Sequence, residues 1–184
     1  MVRILIVGPP GAGKGTQAAV LSAELGVPHI STGELFRAHV EDETELGRQV
    51  KKYLDYGALV PDEVTNEMVA QRLAEDDCRT GFLLDGFPRT VSQARVLAGL
   101  LRDLDCEIDI VLELDAAEDL VVERLLARGR DDDTEDVIRR RQQLYREETA
   151  PLLDFYSDRL VTVPAAGLVH DVTGRALDAL RTRA

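Results

Sequence analysis

Val2-Arg3-Ile4-Leu5-Ile6-Val7-Gly8-Pro9-Pro10-Gly11-Ala12-Gly13-Lys14-Gly15-Thr16 is the stretch on which the reading of this chain turns. Its first six residues are almost wholly aliphatic, as expected of a central strand buried on both faces of a sheet. The next seven fit the pattern G-x-x-x-x-G-K, between that strand and a helical pattern beginning at Lys14. Glycines let the backbone wrap closely, so successive N–H groups converge on phosphate oxygens. The positive end of the following helix strengthens the same field, and Lys14 adds a full charge for the terminal phosphates. One detail departs from the general motif. Gly15 follows the lysine, and the first hydroxyl comes one residue later at Thr16, so this motif alone leaves the manner of magnesium binding open.

Working outward, apolar stretches alternate with helical patterns to residue 184, the mark of an α/β fold around a parallel sheet. Further strands are expected over 28–31, 82–85, 108–114 and 160–163, five in all. Helices are expected over 14–25, 33–40, 45–56, 62–75, 92–104, 117–128, 135–158 and 171–181. Gly26 is a candidate C-terminal cap and Thr134 a candidate N-cap. Pro151 falls inside the longest pattern and should kink or divide it. The helices between Thr32 and Val60 are too many for a simple crossover and read as a small helical lobe beside the sheet.

Composition narrows the function. A net charge of −12 over 184 residues argues against broad binding to nucleic acid or to acidic membranes, both of which need a positive face. The short apolar run at the start is too brief for a secretory core or a membrane span, so a cytoplasmic protein is expected. Cys78 and Cys106 have no metal-ligand spacing and read as free buried thiols. Against the acidic background, seven arginines gather between Arg124 and Arg146. Two readings stand: a pocket for a small anion, or a solvated helix face rich in ion pairs. Asp85 ends an expected strand, where ligands sit in open parallel sheets. It could hold magnesium-bound water or serve as a turn residue.

The stretch Gly-Pro-Pro-Gly-Ala-Gly-Lys-Gly-Thr-Gln at 8–17 resembles the phosphate loop of the adenylate kinases and, more broadly, of the nucleoside-monophosphate kinases. The resemblance recurs in order along nearly the whole chain: Ser31-Thr32-Gly33-Glu34-Leu35-Phe36-Arg37, then Gly57-Ala58-Leu59-Val60-Pro61, then Leu84-Asp85-Gly86-Phe87-Pro88-Arg89-Thr90. It implies a phosphate-loop kinase fold: a five-stranded parallel sheet flanked by helices, with a small helical monophosphate-binding lobe and a short lid. By that likeness the core takes 1–30, 61–127 and 138–184, the lobe 31–60 and the lid 128–137.

The same likeness implies a division of labour. Pro10, Gly11, Ala12, Gly13, Lys14, Gly15, Thr16, Arg124, Arg128 and Gly167 would bind ATP. Thr32, Gly33, Arg37, Ala58, Leu59, Val60, Gly86, Phe87, Arg89, Gln93, Arg130 and Arg141 would bind AMP. Asp132 and Asp133 accompany the lid arginines at the family's spacing, whereas Arg139, Arg140 and Arg146 match less specifically and read as surface or ion-pair residues. Guanidinium forks at Arg37 and Arg89 suit a planar phosphate. Thr32 and Gln93 offer neutral hydrogen-bonding groups to a purine edge. Only Gly129 separates Arg128 from Arg130, so the lid resembles the short form without structural zinc.

The implied reaction is reversible transfer of the terminal phosphoryl group of ATP to AMP, giving two ADP, with magnesium carried by the nucleotide. The acceptor oxygen is already anionic, so catalysis rests on alignment and charge stabilisation by Lys14, Arg89, Arg128, Arg130 and Arg141, with Asp85 at the metal. A monomer is the family expectation. A kinase of the same fold acting on UMP or CMP is the nearest rival, and Thr32 and Thr90 point to AMP by resemblance. A regulatory nucleotide switch is the rival from another class. It would need a hydroxyl beside the lysine and a guanine motif such as N-K-x-D, and neither is found.

Overall fold

Alternation along the strands decides where the sheet sits. The computed structural model describes residues 2–131 and 133–183. In it, β1 (Val2–Val7), β2 (His29–Ser31), β3 (Gly81–Asp85), β4 (Ile110–Asp115) and β5 (Leu160–Pro164) pair in parallel in the order β2-β3-β1-β4-β5. Ile4 stands opposite Leu83 and Ile110, and Leu5 opposite Leu84 and Val111. Because successive side chains face opposite ways, Ile4 and Ile6 enter one core and Leu5 and Val7 the other. All four are buried, which accounts for the unbroken aliphatic run.

Helices cover both faces. On one, α1 (Lys14–Leu25) brings Ala18 and Leu21, and α9 (Val169–Arg183) brings Val172, Ala176 and Leu180. On the other, α4 (Asp62–Leu73) contributes Val69 and Leu73, and α5 (Val91–Asp103) contributes Ala94, Leu97 and Leu101. Truncating one of these fully buried leucines to alanine costs about 3 kcal/mol, from lost transfer energy and the cavity left behind. Helix α1 starts and stops where its glycines stand. Gly26 adopts a left-handed conformation, and its N–H returns to the Ser22 carbonyl.

Between β2 and β3 the chain builds the lobe from α2 (Thr32–Glu41) and α3 (Glu45–Asp55). Ser31 caps the first of these by accepting from the Glu34 amide, and Thr44 caps the second by accepting from Gly47 at 3.0 Å. Each such cap contributes about 1 kcal/mol. At Gly47 the two helices touch so closely that a Cβ would lie within 2.8 Å of the Val40 nitrogen and closer still to the His39 carbonyl. The lobe's own core is small: Phe36, Val50 and Val60 are its buried apolar residues.

Beyond β4 come α6 (Glu118–Arg128) and α7 (Glu135–Leu144), the latter capped by Thr134 accepting from Val137. The single helix expected over 135–158 is divided. A wide, π-type turn spans Tyr145–Thr149, and Pro151 opens the short α8 (Pro151–Phe155). Proline has no N–H for the preceding ladder but is well placed at a helix start. A 3-10 turn at Asp76–Thr80 was not expected; Arg72 holds Asp77 there through two 2.8 Å bonds. Cys78 is a free, buried thiol as expected, whereas Cys106 is only half-buried. Among the described residues no helix is long and apolar enough to cross a membrane.

Candidate active site

The loop after β1 is shaped by what its glycines permit. Gly11 has φ +92°, and a Cβ there would lie 2.5 Å from the Val121 carbonyl oxygen of α6, so no larger residue fits. Ala12 donates to the Pro9 carbonyl at 3.0 Å, closing the turn. Side chains from afar then brace it. Gln142 of α7 donates to the Pro10 carbonyl at 2.8 Å, and Arg124 of α6 to Ala12 and Ala165 at 3.5 and 3.0 Å. Lys14 curls back to donate to the Gly8 and Pro9 carbonyls at 2.8 and 3.1 Å.

This loop forms one wall of a cleft of about 820 Å³ at the carboxyl ends of the strands. Pro10, Gly11, Ala12, Gly13, Lys14, Gly15 and Thr16 all line it, as do Arg124, Arg128 and Gly167. The opposite wall carries Thr32, Gly33 and Arg37 from α2, the loop residues Ala58, Leu59 and Val60, and Gly86, Arg89 and Gln93 after β3. Arg130, between α6 and α7, and Arg141, on α7, complete it. Phe87 differs: its side chain is buried in the core with Leu84 and Leu97 and does not line the cleft. Asp132 lies outside the described residues.

At the floor, Asp85 lies 3.7 Å from where a Gly15 Cβ would stand, so its carboxylate faces the phosphate loop. Burial alone would raise its pKa, but His29, Lys14 and Arg89 outweigh that and hold it below the usual carboxylate range. His29 Nε2 stands 3.8 Å from this carboxylate. Lys14 is shifted the other way. Burial and the nearby Arg89 and Arg128 bring its ammonium down to about 8, against the pull of Asp85. Arg89 opens onto solvent in the cleft while crowded by protein. Desolvation and Arg141 lower its pKa, Asp85 opposes them, and the guanidinium stays charged. Shifts of this kind concentrate where a protein has gathered charges for a ligand.

The arginines of α6, α7 and the turn between them converge on one carboxylate. Asp133, its side chain 1% exposed, accepts from Arg128 Nε at 2.8 Å and Nη2 at 2.6 Å, and from the Arg130 amide at 3.1 Å. Arg141 stands 3.6 Å from the same group. Burial raises the Asp133 pKa, but these donors bring it below the ordinary carboxylate value. The i, i+4 pair Arg124 and Arg128 therefore shares a face of α6 but serves two anchors. Of the less specific arginines, Arg139 pairs with Glu135 and Arg146 with Glu118, and Arg140 is exposed.

Several contributors escaped the sequence. Gln142, Asp62 and His29 act through partners 132, 31 and 56 residues away, and no local pattern marks them. Leu168 and Val169 line the cleft beyond β5 and are exposed. The Val169 carbonyl accepts from Gln17, and Gln17 accepts from Thr173 at 2.8 Å.

A central parallel sheet, a phosphate-binding loop on its middle strand and a facing wall of guanidinium groups define a phosphate-loop kinase of small nucleotides. Comparison with known proteins sharpens the class. The family model described as adenylate kinase matches residues 6–161. The chain is 60% identical to the adenylate kinase of Rhodococcus erythropolis over 179 residues, covering 97% of this chain and 99% of the relative. It is 58% identical to that of Nocardia farcinica and 54% to that of Mycolicibacterium paratuberculosis, with the same coverage. The chain belongs to the adenylate kinase family, and it is a phosphotransferase enzyme.

Proposed function

We propose that the protein transfers the terminal phosphoryl group of ATP to AMP, reversibly, giving two ADP, and that the residues of the cleft divide the work as follows. Backbone amides of 10–15 with Lys14 hold the donor phosphates, and Thr16, Arg124 and Gly167 flank them. Arg37 and Arg89 grip the acceptor phosphate. Thr32, Gly33, Gly86, Gln93 and the 58–60 loop enclose its base. Arg128, Arg130 and Arg141 stabilise charge on the group in flight. Phe87 serves by packing rather than by contact. The observation that carries this reading is one cleft with a phosphate loop on one wall and Arg37, Arg89 and Gln93 on the other.

Magnesium fits the residues present. Asp85 and Thr16 offer just two hard oxygen donors beside the loop, too few to coordinate the ion without the nucleotide's phosphates. That suits a metal arriving with the nucleotide, where it neutralises phosphate charge. The chain's own part is alignment. The acceptor oxygen is already anionic, so no strong base is needed. The lobe at 31–60 and the lid at 128–137 move on the core of 1–30, 61–127 and 138–184, excluding water as a competing acceptor. The enzyme acts as a cytoplasmic monomer. Assaying AMP, UMP, CMP and GMP at equal concentration tests the reading. ADP formation strictly dependent on AMP is expected; preference for a pyrimidine, or ATP loss without any monophosphate, overturns it.

A further inference from the structure

Gln93 is 2% exposed, yet it lines the acceptor half of the cleft. Both ends of its amide are held. Its Oε1 accepts from the Arg89 backbone N–H at 2.7 Å, and its Nε2 donates to Asp62 Oδ1 at 2.7 Å. Asp62 opens α4 directly after the 57–61 loop, in contact with Gln93 across 31 residues of chain.

An amide can be turned over at no intrinsic cost, so its orientation is set by its partners. Here the partners agree. A backbone N–H can only donate, and a carboxylate can only accept. Turning the amide over would set its NH₂ against the Arg89 N–H and its oxygen against the Asp62 carboxylate. Two short bonds would be lost and two like contacts made. In the orientation held, Oε1 keeps one lone pair and Nε2 keeps one N–H. That pair matches a 6-aminopurine, whose amino group donates and whose adjacent ring nitrogen accepts. A 6-oxopurine presents the reverse, a carbonyl acceptor beside a ring N–H.

We infer that Asp62 is a specificity-determining positioning residue: by locking the Gln93 amide, it makes the acceptor site read a 6-amino rather than a 6-oxo purine. The inference rests on the proposed reaction and names how its acceptor is chosen. Asp62 touches no reacting atom. It acts through Gln93, and its side chain is only half-buried, so it can be replaced without emptying the core.

The test measures kcat/KM for AMP and for IMP, a 6-oxopurine monophosphate, in the wild type, Asp62→Asn and Asp62→Ala, with ATP saturation and thermal melting alongside. Asparagine can donate as well as accept, and alanine does neither, so each removes one of the two locks. The AMP-to-IMP ratio should narrow about tenfold in both variants, on the scale of one mispaired polar contact, with KM for ATP within about twofold of wild type. A merely structural Asp62 would weaken AMP and IMP alike and leave the ratio unchanged, which overturns the inference. Wild-type protein that makes no ADP from AMP would instead sink the proposed reaction.

Discussion

The two walls of the cleft carry similar charge on different materials. The donor wall is main chain: a turn at 8–13 whose shape comes from Gly11 pressed against α6 and from the β1 strand beneath it. The opposing wall is side chain: Arg141 reaches in from α7 and shares the single carboxylate of Asp133 with Arg128 of α6. A backbone wall is stiff, contiguous in sequence and intolerant of change. A side-chain wall can open and close, but its order depends on a distant partner. A phosphoryl-transfer site needs both properties, since it must grip one ligand firmly and still admit another.

The largest expected break lies in the stiff wall. Gly11→Ala would place a methyl 2.5 Å from the Val121 oxygen at a positive φ. Stability should fall by about 3 kcal/mol, through left-handed strain and overpacking. ATP affinity, read by calorimetry, should fall about a hundredfold as converging amides are displaced. An unchanged affinity would show that the loop adapts as freely as the facing side chains.

Asp133→Asn probes the other wall and should do less. The isosteric amide keeps an acceptor but loses the charge that orients Arg128 and Arg141, so kcat should drop about tenfold while the ATP dissociation constant moves little. Because Asp133's pKa is depressed in the folded protein, its stabilising contribution is present above the unfolded value near ~3.9 and lost as pH falls through the lower folded value. Chemical denaturation of wild type and variant should therefore differ at neutral pH and converge under strong acid. A constant difference across that range would remove Asp133 as the charged anchor.

The two walls also differ in how they answer to pH. Lys14 has a pKa of about 8 in the free protein. Bound phosphates favour its charged form, so the ATP dissociation constant should rise toward a limit of about tenfold per unit above that pH. Stability moves oppositely. The unfolded chain holds this proton up to about 10.5, so the cost of charging the buried amine fades between 8 and 10.5. A flat affinity profile from pH 7 to 10 would mean that the amides alone supply the grip.

The same contrast explains what could be read from residues alone. Local rules drew the stiff wall: β1, α1 over 14–25 and the Gly26 cap come out at the expected positions because strand, loop and cap signals are contiguous. The five strands and nearly all of the helices are likewise placed, with ends shifted by one to two residues. The division of 135–158 was visible at Pro151 but not at Tyr145–Thr149, where a wide turn has no sequence signature. The charged wall was half legible: the arginine cluster read equally as an anion pocket or an ion-paired face, and family likeness chose between them. Family spacing set Asp133 beside these arginines, but not which of them it holds; burial and its bonds to Arg128 and the Arg130 amide show that. Phe87, within the 84–90 segment, has its side chain in the core, because motif membership does not tell which side of the backbone a side chain takes.

The position of β1 in the middle of the sheet has a kinetic consequence. Its amides are bonded within a strand flanked by β3 and β4 and sealed by two cores, so hydrogen exchange there must wait for the whole domain to come apart. The lobe, with its three buried apolar residues, can breathe on its own far more often. On the proposed division of the cleft, many local openings, each an opportunity to trade one monophosphate for another, would leave the hold on the triphosphate intact.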